Sequence, residues 1–432
     1  MATSAELKQN ILNGGYDQAF AKLYGADTAT VAAQRVRYVD MIDHFEENFG
    51  TGRTVCLYSA PGRTEIGGNH TDHNNGVVIA AAVNLDIIAV VAKNDENVVR
   101  VISHGFGKID DVNLRDLTPQ PVEAEHSASL IRGVAAGIVK DGGKVGGFDC
   151  YTTSDVLGGS GLSSSAAFEV CMGAIFRGEY NDNDMKRFDQ VKNAMISQYA
   201  ENVFFGKPCG LMDQTASSVG GVVAIDFADP ARPQVEQIPL DFAATGHALC
   251  ILDSGAGHAD LTAEYAAITA ELGTVCRCFG KEVLREVPEE AFLADLPRVR
   301  VEAGDRAVLR AFHFYAENRR AGAQAQALKD GDFDAFLALV RDSGRSSALY
   351  LQNVVPTGQT AHQELLLAIA LCERILNGKG AVRVHGGGFG GTVQAFVPAD
   401  LLAEFQTRTE AVLGAGSCHV LSIRPAGGVR LA

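Results

Sequence analysis

The middle of the chain carries the stretch Leu157-Gly158-Gly159-Ser160-Gly161-Leu162-Ser163-Ser164-Ser165-Ala166-Ala167, which passes directly into a helical pattern over residues 166–176. Glycine lets a backbone approach a ligand closely. The start of a helix presents free N–H groups and the positive end of the helix dipole. The stretch therefore predicts an anion cradle, in which serine hydroxyls add donors and one of them is a candidate Mg²⁺ ligand.

A flexible connector is the alternative interpretation of this stretch, since Gly/Ser runs also form linkers. A linker does not usually lead into an apolar helix without polar residues between. The stretch is not a Walker-type phosphate loop, because no Gly-Lys-Ser/Thr follows it.

A second glycine-rich segment lies towards the C-terminal end and reads His385-Gly386-Gly387-Gly388-Phe389-Gly390-Gly391. It contains the letters of the dinucleotide fingerprint, but a strand-like run at residues 392–397 follows where that fingerprint needs a helix. A Rossmann site is therefore rejected. The segment is either a tight β-hairpin or a place where bare backbone closes against a substrate or a phosphate.

A third segment, residues 61–76, gathers an arginine, two acids, two histidines and several amides. His70 and His73 with Asp72 suggest a metal site, but no further His or Cys stands at a recognisable spacing. A polar turn stabilised by its own side chains is a second interpretation. The third is a sugar clamp, because carboxylates accept hydrogen bonds from hydroxyls, whereas imidazoles and amides can donate or accept.

The rest of the chain mixes helical and strand-like patterns, which favours the α+β class. Helices are predicted at residues 27–49, 127–140, 184–205, 208–218, 261–276, 303–321 and 359–376. Strands are predicted at residues 55–58, 77–83, 87–92, 98–102, 148–152, 222–227, 248–252, 381–384 and 392–397, with a loop at residues 60–76. A stretch with prolines at residues 229–239 is the best domain boundary.

Composition narrows the class of protein further. The 432 residues have a formal charge of −15, which disfavours a nucleic-acid binder because phosphates must be neutralised by a basic face. The N-terminus resembles no signal peptide, and no apolar run is long enough to cross a bilayer. Nine scattered cysteines without a C-x-x-C pattern are expected to be reduced thiols. These features predict a cytoplasmic protein without membrane or nucleic-acid partners.

The three segments, taken in order, resemble the three motifs of the GHMP small-molecule kinases, and they are most similar to the galactokinase family within that group. Residues 62–72 resemble its sugar signature, residues 161–166 its Gly-Leu-Ser-Ser-Ser-Ala phosphate loop, and residues 386–391 its C-terminal glycine motif. Residues 200–214 are a fourth stretch that resembles this family. The resemblance thus extends from about residue 61 to residue 391.

This resemblance implies a two-domain α+β kinase, here residues 1–235 and 236–432, with the active site in the cleft between domains. It implies ATP and Mg²⁺ as cofactors and transfer of a phosphoryl group to the 1-hydroxyl of galactose. Matched position by position, the catalytic residues are Arg63 and Asp213, and the Mg²⁺ ligands are Ser165 and Glu201. The sugar-binding residues are Asn69, His70, Asp72, Gly210, Asp213 and Tyr265. The nucleotide-binding residues are Gly158, Gly159, Ser160, Gly161, Leu162, Ser163, Ser164 and Ser165.

One departure from the family pattern concerns the sugar signature. The family has Ile-Gly-Glu-His-Thr-Asp, whereas here Ile66 is followed by Gly67-Gly68-Asn69-His70. One extra residue therefore separates Ile66 from His70, and an amide stands in place of the glutamate. The function of that carboxylate is lost or moves to Glu65, so a related hexose or an N-acetylhexosamine remains an alternative substrate. A sensor that binds ATP and sugar without catalysis is a further alternative.

Overall fold

The computed structural model describes residues 2–106, 109–156, 161–207, 209–257 and 261–432. The strands are β1 (Ala2–Thr3), β2 (Thr54–Gly67), β3 (Val77–Lys93), β4 (Val98–Ser103), β5 (Ile109–Asn113), β6 (Phe148–Ser154), β7 (Val222–Asp226), β8 (Gln234–Ile238), β9 (His247–Asp253), β10 (Ala381–Val384), β11 (Thr392–Pro398), β12 (Cys418–Leu421) and β13 (Val429–Arg430). The α-helices are α1 (Ser4–Leu12), α2 (Asp17–Tyr24), α3 (Thr28–Phe49), α4 (Ser127–Lys140), α5 (Ser164–Tyr180), α6 (Gln190–Tyr199), α7 (Met212–Val219), α8 (Thr262–Cys278), α9 (Glu289–Ala294), α10 (Leu296–Ala303), α11 (Asp305–Lys329), α12 (Phe333–Ser346), α13 (Glu364–Leu376) and α14 (Leu402–Leu413).

A large sheet organises the N-terminal half around the antiparallel pair β2 and β3. Successive side chains of a strand point to opposite faces, and β2 shows this. Val55 and Leu57 pack with α1, α2 and α3, whereas Cys56 and Tyr58 pack with α4 and α5. The sheet is therefore covered by helices on both faces, which explains why its central strands are apolar on both sides.

The segment predicted as a loop at residues 60–76 is partly strand. β2 continues to Gly67 and pairs with β3 through register shifts at Pro61/Arg63 and Glu65/Gly67. Nearly every residue of β2 is buried, its polar ones included, so side-chain polarity did not reveal the strand. The strands predicted at residues 77–83 and 87–92 are likewise one long strand, β3.

A second sheet forms the core of the C-terminal half, with the antiparallel order β10-β11-β9-β12. One face packs on α13 and α14, and the opposite face contributes Leu249, Ile251 and Phe396 to the same core as the large sheet. The boundary predicted near residue 235 falls within β8, which pairs with β7 of the large sheet. The chain then returns at its end, since β13 pairs with β2.

The predicted α+β class is confirmed, and several elements match closely. The helix predicted at residues 127–140 is α4, and the strand predicted at residues 381–384 is β10. The long helix predicted at residues 184–205 is shorter, because α6 covers Gln190–Tyr199 and the chain continues as a π-helical turn at Ala200–Phe205.

A buried carboxylate, Asp86 at the centre of β3, joins distant parts of the N-terminal half. It accepts hydrogen bonds from Tyr24 Oη (2.6 Å), Arg37 Nη1 (2.8 Å) and Arg424 Nη1 (2.7 Å), and also from Ser59. Burial raises the pKa of Asp86, but the two guanidinium groups outweigh it and hold that pKa below its usual range. Asp86 therefore ties α2, α3 and the C-terminal segment to the sheet.

We expect Asp86→Ala to lower the free energy of unfolding by about 3–5 kcal/mol, since it leaves the fully buried Arg424 without its charge partner. Urea denaturation measures the change. Asp155→Ala is the matched control, because Asp155 also pairs with Arg37 but its side chain is 49% exposed, so the expected loss is below about 1 kcal/mol. Equal losses in the two variants would contradict the role given to Asp86.

Candidate active site

A small cavity of about 220 Å³ lies where the end of β2, the start of α7 and the glycine segment between β10 and β11 meet. It falls below the range of drug-sized pockets and suits a single small polar ligand. The residues that line it are Arg63, Glu65, His70, Asp72, His73, Cys209, Gly210, Met212, Asp213, Gly386 and Gly387. The polar segment and the C-terminal glycine segment therefore both line this cavity, and the serine-rich stretch borders it.

The two predicted catalytic residues form a bidentate ion pair. Arg63 donates from Nε to Asp213 Oδ1 and from Nη2 to Asp213 Oδ2, both at 2.6 Å. Arg63 also donates from Nη1 to the carbonyl of Gly161, and Ser163 Oγ donates to Asp213 Oδ2 at 2.7 Å. Burial raises the pKa of Asp213, but Arg63 and Ser163 more than compensate and hold it below its ordinary value. Asp213 is thus a carboxylate at neutral pH.

The serine-rich stretch lies directly beside this pair. Ser163 stands in the left-handed region (φ 59°) immediately before α5, so the free N–H groups of that helix begin at Ser164. Leu162 is buried, and its carbonyl accepts a 2.9 Å hydrogen bond from the Arg63 backbone N–H. Three predicted nucleotide-binding residues, Gly158, Gly159 and Ser160, lie outside the described residues.

A larger cavity of about 570 Å³ opens on the other side of the serine stretch. Ser164 and Ser165 line it, together with apolar side chains such as Phe168 and Phe205 and the hydroxyls of β6. Ser163 contacts Asp213 at the small cavity, so residues 163–165 stand between the two spaces.

The predicted metal ligands, Ser165 and Glu201, are adjacent. Ser165 Oγ lies 3.4 Å from Glu201 Oε1, and Glu201 Oε2 accepts a 2.7 Å hydrogen bond from Gln214 Nε2. Gln214 also donates to the buried Glu169 at 3.2 Å. Burial, with the charge of Glu201 adding to it, raises the pKa of Glu169 well above its usual value. Across the part of the chain that the structure describes, no group of three or more His, Cys, Asp or Glu side chains could hold a metal ion by itself.

Three of the predicted sugar-binding residues line the small cavity together with Asp213. A Cβ on Gly210 would stand 2.3 Å from Asp72 Oδ2, so only glycine permits this carboxylate to lie there. His70 has φ 58°, and its Nε2 lies 2.9 Å from the carbonyl of Gly387. Burial lowers the pKa of His70 to about 4, so the ring is neutral at pH 7. Because a carbonyl can only accept, Nε2 carries the proton and Nδ1 is left as an acceptor.

The other two predicted sugar-binding residues, Asn69 and Tyr265, are absent from the residues that line this cavity. Asn69 is fully buried and donates from Nδ2 to the carbonyl of Gly386 at 2.8 Å. Tyr265 Oη donates to the carbonyl of Gly388 at 2.9 Å, and a Cβ on Gly387 would meet the Tyr265 ring at 2.6 Å. Both side chains therefore support the glycine segment, and their contact with a sugar stays a prediction.

Several side chains that complete this site have no role predicted from the sequence. Gln214 follows Asp213 directly and links Glu201 to Glu169, and Met212 and Cys209 line the small cavity. Their position inside the motif at residues 200–214 was the available signal. Ser163 was assigned to the nucleotide only, whereas its hydroxyl contacts Asp213.

Comparison with known proteins bears directly on this geometry. The galactokinase galactose-binding signature matches residues 43–93, which include the polar segment, and the GHMP kinase N-terminal domain matches residues 129–221. The fold is similar to that of Lactococcus lactis galactokinase complexed with galactose, at 22% identity and a TM-score of 0.76, covering 91% of this chain and 99% of that one.

More distant structures share the fold as well. Methanococcus jannaschii mevalonate kinase has 13% identity and a TM-score of 0.60, with 86% of this chain and 98% of that chain covered. A D-glycero-D-manno-heptose 1-phosphate kinase from Bacteriodes thetaiotaomicron has 15% identity and a TM-score of 0.57, with 87% and 98% covered. Residues 129–221 of the chain thus match the N-terminal domain of the GHMP kinases. The chain also carries the galactose-binding signature of the galactokinases and is a sugar kinase.

One further finding concerns membranes: in the described parts of the chain, no helix is both long and apolar enough to span a bilayer.

Buried neutral histidines at the junction of the two halves predict a pH-dependent stability. Burial lowers the pKa of His313 and His385, as it does that of His70. In the unfolded chain these rings take up protons as pH falls through about 6.5. Each therefore stabilises the fold fully above that pH and loses its contribution below it, with a slope of up to about 1.4 kcal/mol per pH unit.

We expect His385→Gln to reduce this slope in urea denaturation between pH 7 and pH 5. His362→Gln is the control, because the side chain of His362 is 80% exposed. An unchanged slope in His385→Gln would show that folding does not lower the pKa of His385.

Proposed function

We propose that this chain is a galactokinase, which transfers the γ-phosphoryl group of ATP to the 1-hydroxyl of galactose and releases galactose 1-phosphate and ADP. The observation that carries the proposal is the Arg63–Asp213 ion pair. It joins the segment that matches the galactose-binding signature to the start of α7, beside a cavity of monosaccharide scale and the N-terminus of α5.

The sugar would occupy the small cavity. Asp72 and Asp213 supply carboxylate acceptors for hydroxyls, and neutral His70 supplies a further acceptor at Nδ1. Gly210, Gly386 and Gly387 present bare backbone where side chains would take up the space of the ligand. Of the two carboxylates, Asp213 is the one that accepts a hydrogen bond from Ser163 of the serine stretch, so we assign to it the hydroxyl that accepts the phosphoryl group.

The nucleotide would lie across the N-terminus of α5. The free N–H groups and dipole of that helix suit a triphosphate, and the larger cavity with Phe168 and Phe205 suits a base and ribose. Residues 163–165 stand between the two cavities, which supports a position of the terminal phosphate next to Asp213 and Arg63. This arrangement brings donor and acceptor together, which is the main demand of phosphoryl transfer.

In the transfer step, the sugar oxygen bonds to the γ-phosphorus while the bond from that phosphorus to the bridging oxygen of ADP breaks. Arg63 faces the negative charge that spreads over the phosphoryl oxygens in the transition state. Asp213 orients the hydroxyl and receives its proton. The lowered pKa of Asp213 makes it a weak base, so the proton leaves late, after most of the P–O bond has formed.

Mg²⁺ fits the donor set at Ser165 and Glu201. This cation prefers oxygen ligands and usually takes one or two carboxylates, with the remaining positions filled by phosphates and water. A buried carboxylate 3.4 Å from a serine hydroxyl therefore meets its needs without a third acidic ligand. When bound, the ion would neutralise charge on the phosphates. Gln214 holds Glu201 in place through the 2.7 Å hydrogen bond.

A coupled assay of ADP release with a panel of hexoses tests the proposal. We expect galactose to be the best substrate and to yield a 1-phosphate. Preference for another hexose or an N-acetylhexosamine would support the kinase activity and correct the assignment of the substrate. Binding of galactose and ATP without any ADP release would favour the sensor alternative, which the intact Arg63–Asp213 pair disfavours.

We expect Asp213→Asn to lower kcat by about 10²–10⁴-fold, because the amide cannot receive the proton of the hydroxyl. Galactose affinity, measured by calorimetry, should change by less than about tenfold, since the amide still hydrogen-bonds. Asp229→Asn is the control on an exposed ion pair and should leave kcat unchanged. A normal kcat in Asp213→Asn would remove Asp213 from proton transfer.

We expect Glu201→Gln to weaken binding of the Mg²⁺ complex of a non-hydrolysable ATP analogue by on the order of tenfold, since a charged ligand becomes neutral. Calorimetry with and without Mg²⁺ measures this. Affinity for the metal-free analogue should be unchanged or higher, because a negative charge is removed. A loss that is the same with and without Mg²⁺ would contradict the metal assignment.

A further inference from the structure

We propose that Glu65 is the carboxylate that reads a non-anomeric hydroxyl of the sugar, and that Asn69 is a positioning residue rather than a sugar ligand. This inference rests on the proposed function of the small cavity. It assigns the missing carboxylate of the altered signature to a different position of the same segment.

The hydrogen bonds of Glu65 leave one oxygen available. Its Oε1 accepts from Asn69 Nδ2 at 3.0 Å and from Arg383 Nη2. Its Oε2 has no hydrogen-bond partner among the described residues, and the side chain is one of those lining the small cavity. The exposed part of the side chain, 6%, therefore faces the space that the sugar would occupy. A carboxylate fixed by one oxygen and open at the other is a rigid acceptor for a hydroxyl.

Arg383 orients this carboxyl group and favours its ionised form, although burial outweighs it and raises the pKa of Glu65 above its usual value. The Arg383 side chain is fully buried, and its Nη1 donates to the carbonyl of Ile66 at 2.7 Å. The guanidinium is thus anchored to the same strand that carries Glu65. In its ionised form Glu65 would accept a hydrogen bond from a hydroxyl that is roughly twice as strong as a neutral one, which gives it the means to discriminate between hydroxyl patterns.

Asn69 cannot do the same, because its amide is already saturated. Nδ2 donates to Glu65 and to the carbonyl of Gly386, and Oδ1 accepts from Asn353 Nδ2 at 2.9 Å and from Ser347 Oγ at 3.2 Å. An Asn side chain has two donors and two acceptor sites, so none is left for a ligand. The residue is also fully buried. Its function is to hold Glu65 and the glycine segment in a fixed position relative to each other.

The test measures binding of galactose and its 2-, 3-, 4- and 6-deoxy derivatives by calorimetry without nucleotide. In Glu65→Gln, the amide oxygen will face Arg383, which needs an acceptor, so the NH₂ group faces the cavity. We expect this variant to bind galactose on the order of tenfold more weakly. With one of the deoxy sugars, the variant and the wild-type protein should bind within about twofold of each other, because the hydroxyl that Glu65 reads is absent.

Asn69→Ala is the contrasting variant and should weaken all five sugars by a similar factor. Glu65→Asp is a second variant, which keeps the charge near Arg383 and should show the same hydroxyl-specific loss if Glu65→Gln does not fold. Melting temperature and nucleotide affinity report folding. The inference is overturned if Glu65 substitution weakens all sugars equally, or if the hydroxyl-specific loss appears in Asn69→Ala.

These outcomes are separable from those of the proposed function. A wild-type protein that binds the sugars with Glu65-dependent discrimination but releases no ADP would sustain the inference and refute the kinase assignment. A wild-type protein that phosphorylates galactose without such discrimination would sustain the kinase assignment and refute the inference about Glu65. Failure to bind any of these sugars, both without nucleotide and with a non-hydrolysable ATP analogue, would refute both.

Discussion

The ion pair between Arg63 and Asp213 is the contact on which the rest of the site depends. It joins β2 to the first turn of α7 across 150 residues of sequence, and it closes over Gly161 and Ser163 from the serine stretch. Two of the three segments are thereby held against each other. Because both charges are largely removed from water, loss of either partner would leave the other uncompensated. The same pair lowers the pKa of Asp213, so one interaction sets both the shape of the site and the protonation state of its acid.

The third segment is held by neutral groups rather than by charge. Asn69 and Asn353 hydrogen-bond to the carbonyls of Gly386 and Gly387, and Tyr265 hydrogen-bonds to that of Gly388. Side chains from both halves of the chain thus hold a backbone in which only His385 and Phe389 have side chains of their own to pack. Such fixation matters because glycine-rich backbone is otherwise conformationally free, and a ligand would have to restrain it at a cost in affinity.

Because the net charge of the protein is −15, the proposed binding of a triphosphate meets an electrostatic difficulty. Among the described residues, the groups beside the site that suit phosphates are local ones, such as the N-terminus of α5, Arg63, and a serine–glutamate pair suited to Mg²⁺. Arg63 is already paired with Asp213, so in the proposed mechanism its charge acts over short range, at the transferring group. Local compensation of this kind suits a small anionic ligand and requires no extended basic face.

Much of the secondary structure could be predicted from the sequence. α4 and α3 have regular apolar periodicity, and their bounds agree with prediction within a residue. β2 could not be predicted in full, because a strand buried on both faces by polar as well as apolar residues shows no alternation. The π-helical turn at Ala200–Phe205 leaves no pattern in side-chain type, and yet it carries Glu201 to Ser165.

The sequence by itself determined which chemical groups this protein has available: a serine-rich helix start, a polar sugar signature, a glycine segment and the residues Arg63 and Asp213. Each motif is local, and local residue types dictate helix starts, tight turns and bare backbone. Only the tertiary structure decided which of the two nearby residues, Asn69 or Glu65, has a polar atom available to a ligand. It turned Asn69 inward to a saturated network and left Glu65 with one oxygen towards the cavity. The physical reason is that hydrogen-bond saturation depends on partners such as Asn353 and Arg383, which lie about 300 residues away in sequence.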